Sequence, residues 1–336
     1  MNDRNTPHHG NPGTQPVFPR HDKPLPPGRV AHRVALVLAV LLSPGFAKAQ
    51  DLHLDPFTHG NATTVGLAGT CRATPGNLDN ILHGSAPLAL DSRYDIDVSG
   101  FLEPGGWKGF DVAAVDSRTS TFALGVRYSW ARHDDLPLLG SELPGWELAG
   151  SSETNPAVAQ HLAVGMAITP DQDRRWSVGL HGGYFWRNAA RAGDGMGARI
   201  GASVAGRPHD TLTMSLGGTV PFLVEAARGT EDQPTVDAGL RWQPHEDVGI
   251  VADAGLPLDT IDGLDFGVGS EWSIAGIVPV RVGYSRDAGD VRNALGAGVG
   301  VVSEYLNLHY GVWFDLGPDE DGLALPRHVA TIAMWM

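Results

Sequence analysis

Two stretches and two histidines of this 336-residue chain carry residue types suited to reaction chemistry. The run HGGYF at 181–185 has the make-up of a hydrolase oxyanion loop, where backbone amides receive a developing negative charge. The run GPDEDG at 317–322 gathers three carboxylates, the donor type that a divalent cation takes. His181 and His309 are candidate imidazole ligands. None of these completes a reactive set. The glycines of HGGYF lie inside an alternating segment, where close backbone approach accounts for them. The acidic run lacks EF-hand spacing and reads as a solvated loop. The sequence has no G-x-S-x-G, H-E-x-x-H or phosphate-loop motif. Its single cysteine, Cys71, excludes an intrachain disulfide and reads as a small apolar residue. The expectation is no enzyme, no metal and no cofactor.

The charged residues are more informative for where they recur. Arg127, His181, Arg199, Asp237, Arg241, Asp253, Glu271, Arg281 and His309 all sit on one parity of segments whose other parity is apolar. In TFALGVRYSW (121–130), Phe122, Leu124, Val126, Tyr128 and Trp130 share one face, and Arg127 falls on the other with Ala123, Gly125 and Ser129. Period 2 is the signature of a β-strand, because successive side chains point to opposite faces.

About fourteen such segments of about ten residues follow one another from RYDIDVSGFL (93–102) to HVATIAMWM (328–336). That length suits a tilted strand crossing a bilayer, for which about 9–11 residues are needed. The connections sort by parity. DSRT, PDQDR, RPHD, QPHE and SIAG are tight, whereas 131–160, 221–234 and 315–327 are long. Tight turns at one end and free loops at the other are the pattern of an outer-membrane barrel. The fold expected is all-β: a transmembrane antiparallel β-barrel of about 14 strands with an N-terminal plug, or hatch. In such a barrel the greasy parity faces lipid and the charged parity faces the lumen. A soluble secreted β protein would invert the faces and leave the pattern unchanged.

Composition fits. The net charge of −14 argues against nucleic-acid binding, which needs a basic surface. Mean hydropathy is only −0.11, as expected where alternate residues alone meet lipid. Residues 1–49 read as a leader and secretory signal peptide. A polar, Pro-rich start precedes Arg29 and Arg33, then an apolar run at 34–42 and the small-x-small site Ala47-Lys48-Ala49. Residues 50–90 read as the hatch and 91–336 as the barrel.

The layout resembles FadL-like outer-membrane proteins, the fatty-acid transporters and their PorV-like relatives. The matching residues are Gly66-Leu67-Ala68-Gly69, the short polar stretch 77–80 and HGSAPLAL (83–90), leading into SRYDIDVSGFL. Ser85-Ala86-Pro87 stands where the family has Asn-Pro-Ala, so the likeness is one of architecture more than of motif. The resemblance implies fourteen strands, an N-terminal hatch in the lumen and an outer-membrane location in a Gram-negative-type bacterium. It also implies hatch-gated passage of small hydrophobic molecules. The alternative it carries is a non-transporting, PorV-like scaffold or surface protein.

The greasy loop 136–148 offers Leu136, Leu139, Leu143 and Trp146 as contacts for an apolar ligand. The partners expected are outer-membrane lipid and lipopolysaccharide, the barrel-assembly machinery and a small apolar ligand. The lumen charges have two readings: a network that stiffens the barrel and holds the hatch, or selectivity in a pore.

Overall fold

The computed structural model describes residues 60–103, 107–133, 157–188, 195–225, 234–258, 264–287, 292–316 and 326–336. The leader and the greasy loop 136–148 lie outside the described residues.

Fourteen strands form one closed antiparallel barrel. They are β1 (Tyr94–Leu102), β2 (Trp107–Asp116), β3 (Phe122–His133), β4 (Ala157–Ile168), β5 (Trp176–Asn188), β6 (Gly195–His209) and β7 (Leu212–Glu225). The others are β8 (Thr235–His245), β9 (Val248–Pro257), β10 (Asp265–Ile274), β11 (Val278–Asp287), β12 (Arg292–Val302), β13 (Leu306–Leu316) and β14 (Arg327–Trp335). Each strand pairs with its neighbours in sequence, and β14 returns to β1 in a register running from Asp95↔Trp335 to Leu102↔His328. Closure leaves no unpaired strand edge, the condition that hydrocarbon imposes on a sheet.

The alternation resolves into an outside and an inside. Phe122, Leu124 and Val126 are 43%, 43% and 42% exposed on the outer wall, while Ala123 and Arg127 of the other parity are 0% and 2% exposed. Leu216, Val268, Val282, Leu308 and Ile332 repeat the outward exposure around the circumference. A soluble β protein would bury this set. Here the apolar parity is outside and the charged parity inside, which is the arrangement of a transmembrane barrel.

The tight turns and both ends of the barrel chain share one rim. Tyr94 and Met336 exchange backbone hydrogen bonds there, at 3.4 and 3.0 Å. This rim is the turn end of the barrel, and the opposite rim the loop end.

β7 runs farther than its sequence suggests, continuing through Pro221 to Glu225 where a loop is expected from residue 221. Proline has no N–H to give to a ladder. The register shift between Ala198 and Arg199 on β6 falls beside Pro221, which pairs with Arg199. The pairing of β7 with β8 stops at Thr219, so Pro221 lies past the end of that ladder, and beyond the bulge the pairing with β6 runs on to Glu225.

Residues 60–90 do not join the sheet. They form helix α1 (Ala62–Gly66), helix α2 (Asn80–His83) and a 3₁₀ turn (Ala86–Ala89). The Asn61 side-chain oxygen caps α1, accepting from the Thr63 and Thr64 amides at 3.1 Å each. Helices of five and four residues are too short to persist alone. Their stability comes from the barrel wall, which surrounds them. Val65 and Ile81 are wholly buried, and contacts run from this luminal segment to β3, β4, β5, β6 and β11 to β14.

Candidate functional site

Wall glycines let the luminal segment approach. A Cβ on Gly283 of β11 would strike the Leu67 carbonyl, and one on Gly296 of β12 would strike the Val65 carbonyl. A Cβ on Gly179 of β5 would lie 2.5 Å from the Ala86 amide nitrogen. Glycine at these sites opens room for backbone against backbone, a packing no other residue permits.

Polar contacts then fix the segment in place. Asp79 is the hub of the first set. It accepts from the Asn61 amide at 2.9 Å, from the Thr64 hydroxyl and from the Arg127 guanidinium of β3. The same guanidinium reaches Asp111 of β2 at 3.1 Å. A second set has the opposite sense. Arg72 of the segment pairs with Asp237 of β8 at 3.2 Å and stands 3.8 Å from Asp253 of β9. Asp253 also accepts from the backbone amides of Cys71 and Arg72, at 2.7 and 3.0 Å. Burial pushes the Cys71 thiol well above its ordinary value, so it is an inert packing group.

Neutral contacts hold the C-terminal part of the segment. The Ser85 hydroxyl reaches the carbonyls of Met166 and Leu180 at 2.9 and 2.8 Å, and the Ala86 amide donates to Ser203 at 3.0 Å. At the turn end, the Arg174 guanidinium gathers the carbonyls of Ala89, Asp91, Ser117 and Ser120 at 2.7–3.1 Å. It ties the segment's exit to two hairpin turns.

On the loop-end side of α1 the lumen changes character. Phe101, Trp107 and Trp313 are buried in one cluster with Ala62, Val65 and Ala68 of the segment. The Trp107 ring meets His133 edge-on at 5.3 Å. Arg327 lies over the Phe101 face at 5.5 Å and pairs with Glu103 at 2.7 Å.

The charged residues singled out from sequence divide among these sets. Arg127 belongs to the first, and Asp237 and Asp253 to the second. Glu271, Arg281 and His309 form a third on β10, β11 and β13: Arg281 donates to Glu271 at 2.5 Å and to the His309 Nδ1 at 3.2 Å. Arg241 of β8 reaches the same Glu271 only at 4.0 Å. His181 sits on the β5 inner wall, 3.1 Å from the Thr219 hydroxyl, and Arg199 is half-buried on β6. Leu136, Leu139, Leu143 and Trp146 lie outside the described residues. HGGYF is part of β5. GPDEDG lies outside the described residues. At the β8–β9 turn, His245, Glu246 and Asp247 bring three ligand-type atoms within 4.8 Å of one another on the exposed surface.

Sequence reading overlooked Asp79, Asn61, Thr64, Asp111, Arg72 and the three aromatic residues. Asp111 had a signal, since it alternates with outward Phe110 and Val112. Asp79 had none, because its segment has no period.

A scan of protein-family models finds no match, and neither does a search of curated proteins. Solved structures do match. The CymD monoaromatic hydrocarbon channel superposes with a TM-score of 0.61 at 10% identity, covering 83% of this chain and 98% of that one. The Ralstonia pickettii toluene transporter TbuX gives 0.58 at 13%, covering 83% and 98%. A Pseudomonas aeruginosa FadL homologue gives 0.52 at 9%, covering 82% and 98%. The chain has the FadL-type fold. At these identities the likeness is one of backbone, so the side chains that line this FadL-type lumen must be read on their own terms.

Proposed function

We propose that this chain is an outer-membrane protein that passes small apolar molecules, with the luminal segment as its movable gate. The observation that carries the reading is the cluster of Phe101, Trp107 and Trp313 against Val65 and Ala68, on the loop-end side of the segment. A passage for hydrophilic solutes lines its approach with polar groups. Aromatic faces there favour an apolar guest. The segment fills the lumen beneath that cluster, so a guest advances only when the segment shifts. The solved structures of the same fold support the class of cargo, since CymD is described as a monoaromatic hydrocarbon channel and TbuX as a toluene transporter. Leu136, Leu139, Leu143 and Trp146 belong to this reading as outer-loop contacts for the guest. Residues 1–49 belong to it as the export leader. Membrane lipid, lipopolysaccharide and the barrel-assembly machinery are its partners.

Uptake of toluene into proteoliposomes tests the proposal. The intact protein takes up toluene, Trp313→Ser slows uptake, and deletion of residues 60–90 raises ion leak. A second reading, a non-transporting scaffold, draws on the tight backbone packing at Gly283 and Gly296. Intact protein that takes up no apolar probe, with a deletion that changes nothing, favours the scaffold.

A further inference from the structure

Beneath the segment, at the turn end, the inner wall holds a polar recess of about 230 Å³. Arg207, Thr213, Arg241 and Gln243 line it, with Asp91 and Pro75. The recess is smaller than the roughly 300–1,000 Å³ of pockets for drug-sized ligands, so it suits a small guest.

Its charges are unevenly matched. Arg207 is committed to Asp91 at 2.7 Å. Asp210, also at the recess, points its 86% exposed carboxylate outward, 3.7 Å from Arg175. Arg241 has only Glu271, at 4.0 Å, and Glu271 is already taken by Arg281 at 2.5 Å. The His309 Nδ1 accepts from Arg281 and so supplies no negative charge. Arg241 therefore has no carboxylate of its own within hydrogen-bond distance. Among the described residues it makes no hydrogen bond. The Arg241 guanidinium, a planar fork of N–H donors, therefore lines a partly enclosed polar recess with donors to spare, and a planar oxyanion is the group that matches it.

We propose that this recess is a binding site for a small oxyanion of the carboxylate class, held by Arg241 with the Thr213 hydroxyl as a further donor. The site goes beyond the passage of apolar molecules and stands whether or not the barrel conducts. It gives the turn end of the lumen a selectivity for negative charge that the aromatic end lacks.

Calorimetric titration of the full chain in detergent micelles tests it, with benzoate, its neutral isostere benzamide, and inorganic phosphate. Benzoate is expected to bind saturably and benzamide not to bind. Arg241→Gln should weaken benzoate at least tenfold, and Arg241→Lys should fall between, keeping the charge and losing the fork. Phosphate that binds with the same dependence on Arg241 makes this a site for free oxyanions generally, and phosphate that fails to bind confines it to carboxylates. Heat-modifiable migration of each variant checks that the barrel is intact. Benzamide binding as well as benzoate, no saturable anion binding, or an Arg241→Gln barrel that binds benzoate undiminished overturns the proposal. Since no step requires transport, its failure is separate from failure of the gate reading.

Discussion

Arg127 of β3 and Asp79 of the luminal segment form an ion pair with both side chains withdrawn from solvent, 2% and 1% exposed. The pair joins the segment to the wall. Arg127 has a second carboxylate, Asp111, and Asp79 has further donors in Asn61 and Thr64. The consequences of cutting it are therefore unequal. Arg127→Met strands two buried carboxylates and should destabilise the protein by about 3–5 kcal/mol, the usual cost of orphaning a buried charge. Asp79→Asn keeps Arg127 paired with Asp111 and should cost less. Urea unfolding in micelles ranks the two, and equal losses would contradict the hub arrangement.

Gly283 places the segment by what it lacks. In Gly283→Val the new side chain occupies the position of the Leu67 carbonyl, so the segment must move and the sheet need not. The expected result is a heat-modifiable barrel whose segment is cut faster by added protease, with higher ion leak across a lipid film. Protection equal to wild type would show that the close approach is not needed.

The outer wall gives a paired test. Val126→Arg puts a charge on the lipid face, where it costs about 2–4 kcal/mol near mid-membrane. The outward Val126 and inward Arg127 are adjacent in β3, so Val126→Arg and Arg127→Ala probe opposite surfaces at one depth. Membrane-inserted yield should fall more for Val126→Arg, because lipid meets the outer face during insertion, whereas the cost of Arg127→Ala falls on the stability of the inserted barrel, where Asp79 and Asp111 lose their partner. A larger fall for Arg127→Ala would mean that the lumen, not lipid, limits assembly.

The barrel is closed by its last strand. β14 pairs with β13 on one side and β1 on the other. Removing residues 328–336 opens two edges in hydrocarbon and should abolish the heat-modifiable form. Electrophoresis with and without boiling reads the result, and a truncated chain that still migrates as a compact barrel would refute closure through β14.

His83, half-buried on α2 inside the lumen, gives stability a pH dependence. Burial first, then the charges of Arg72, Arg199 and Arg127, lowers its pKa well below the ordinary 6.5. The folded protein then binds that proton less readily than the unfolded chain. Above pH 6.5 the group is neutral in both states and contributes nothing. As pH falls below 6.5 toward the folded value, the unfolded chain takes up the proton first and stability declines. The melting temperature should drop between pH 7.5 and 5, and His83→Gln should drop less. Equal slopes would exclude His83 as a source.

The barrel is legible in the order of residues alone. Strand count, wall orientation and the sorting of turns from loops are local properties, because alternation with period 2 is written residue by residue and lipid enforces it on every strand. Arg127, Arg241 and Arg281 could be assigned to the inner parity from their neighbours alone. Which carboxylate meets which arginine was not legible. Asp79 belongs to a segment with no period, and it finds Arg127 only because wall glycines on β5, β11 and β12 admit that segment's backbone. The bulge opposite Pro221 was equally hidden, since it depends on the strand next door. The weak pairing of Arg241 was the least visible of all. It arises from a contest between two arginines, forty residues apart in sequence, for one Glu271 carboxylate, and only the side-by-side pairing of β8, β9, β10 and β11 brings the contestants together.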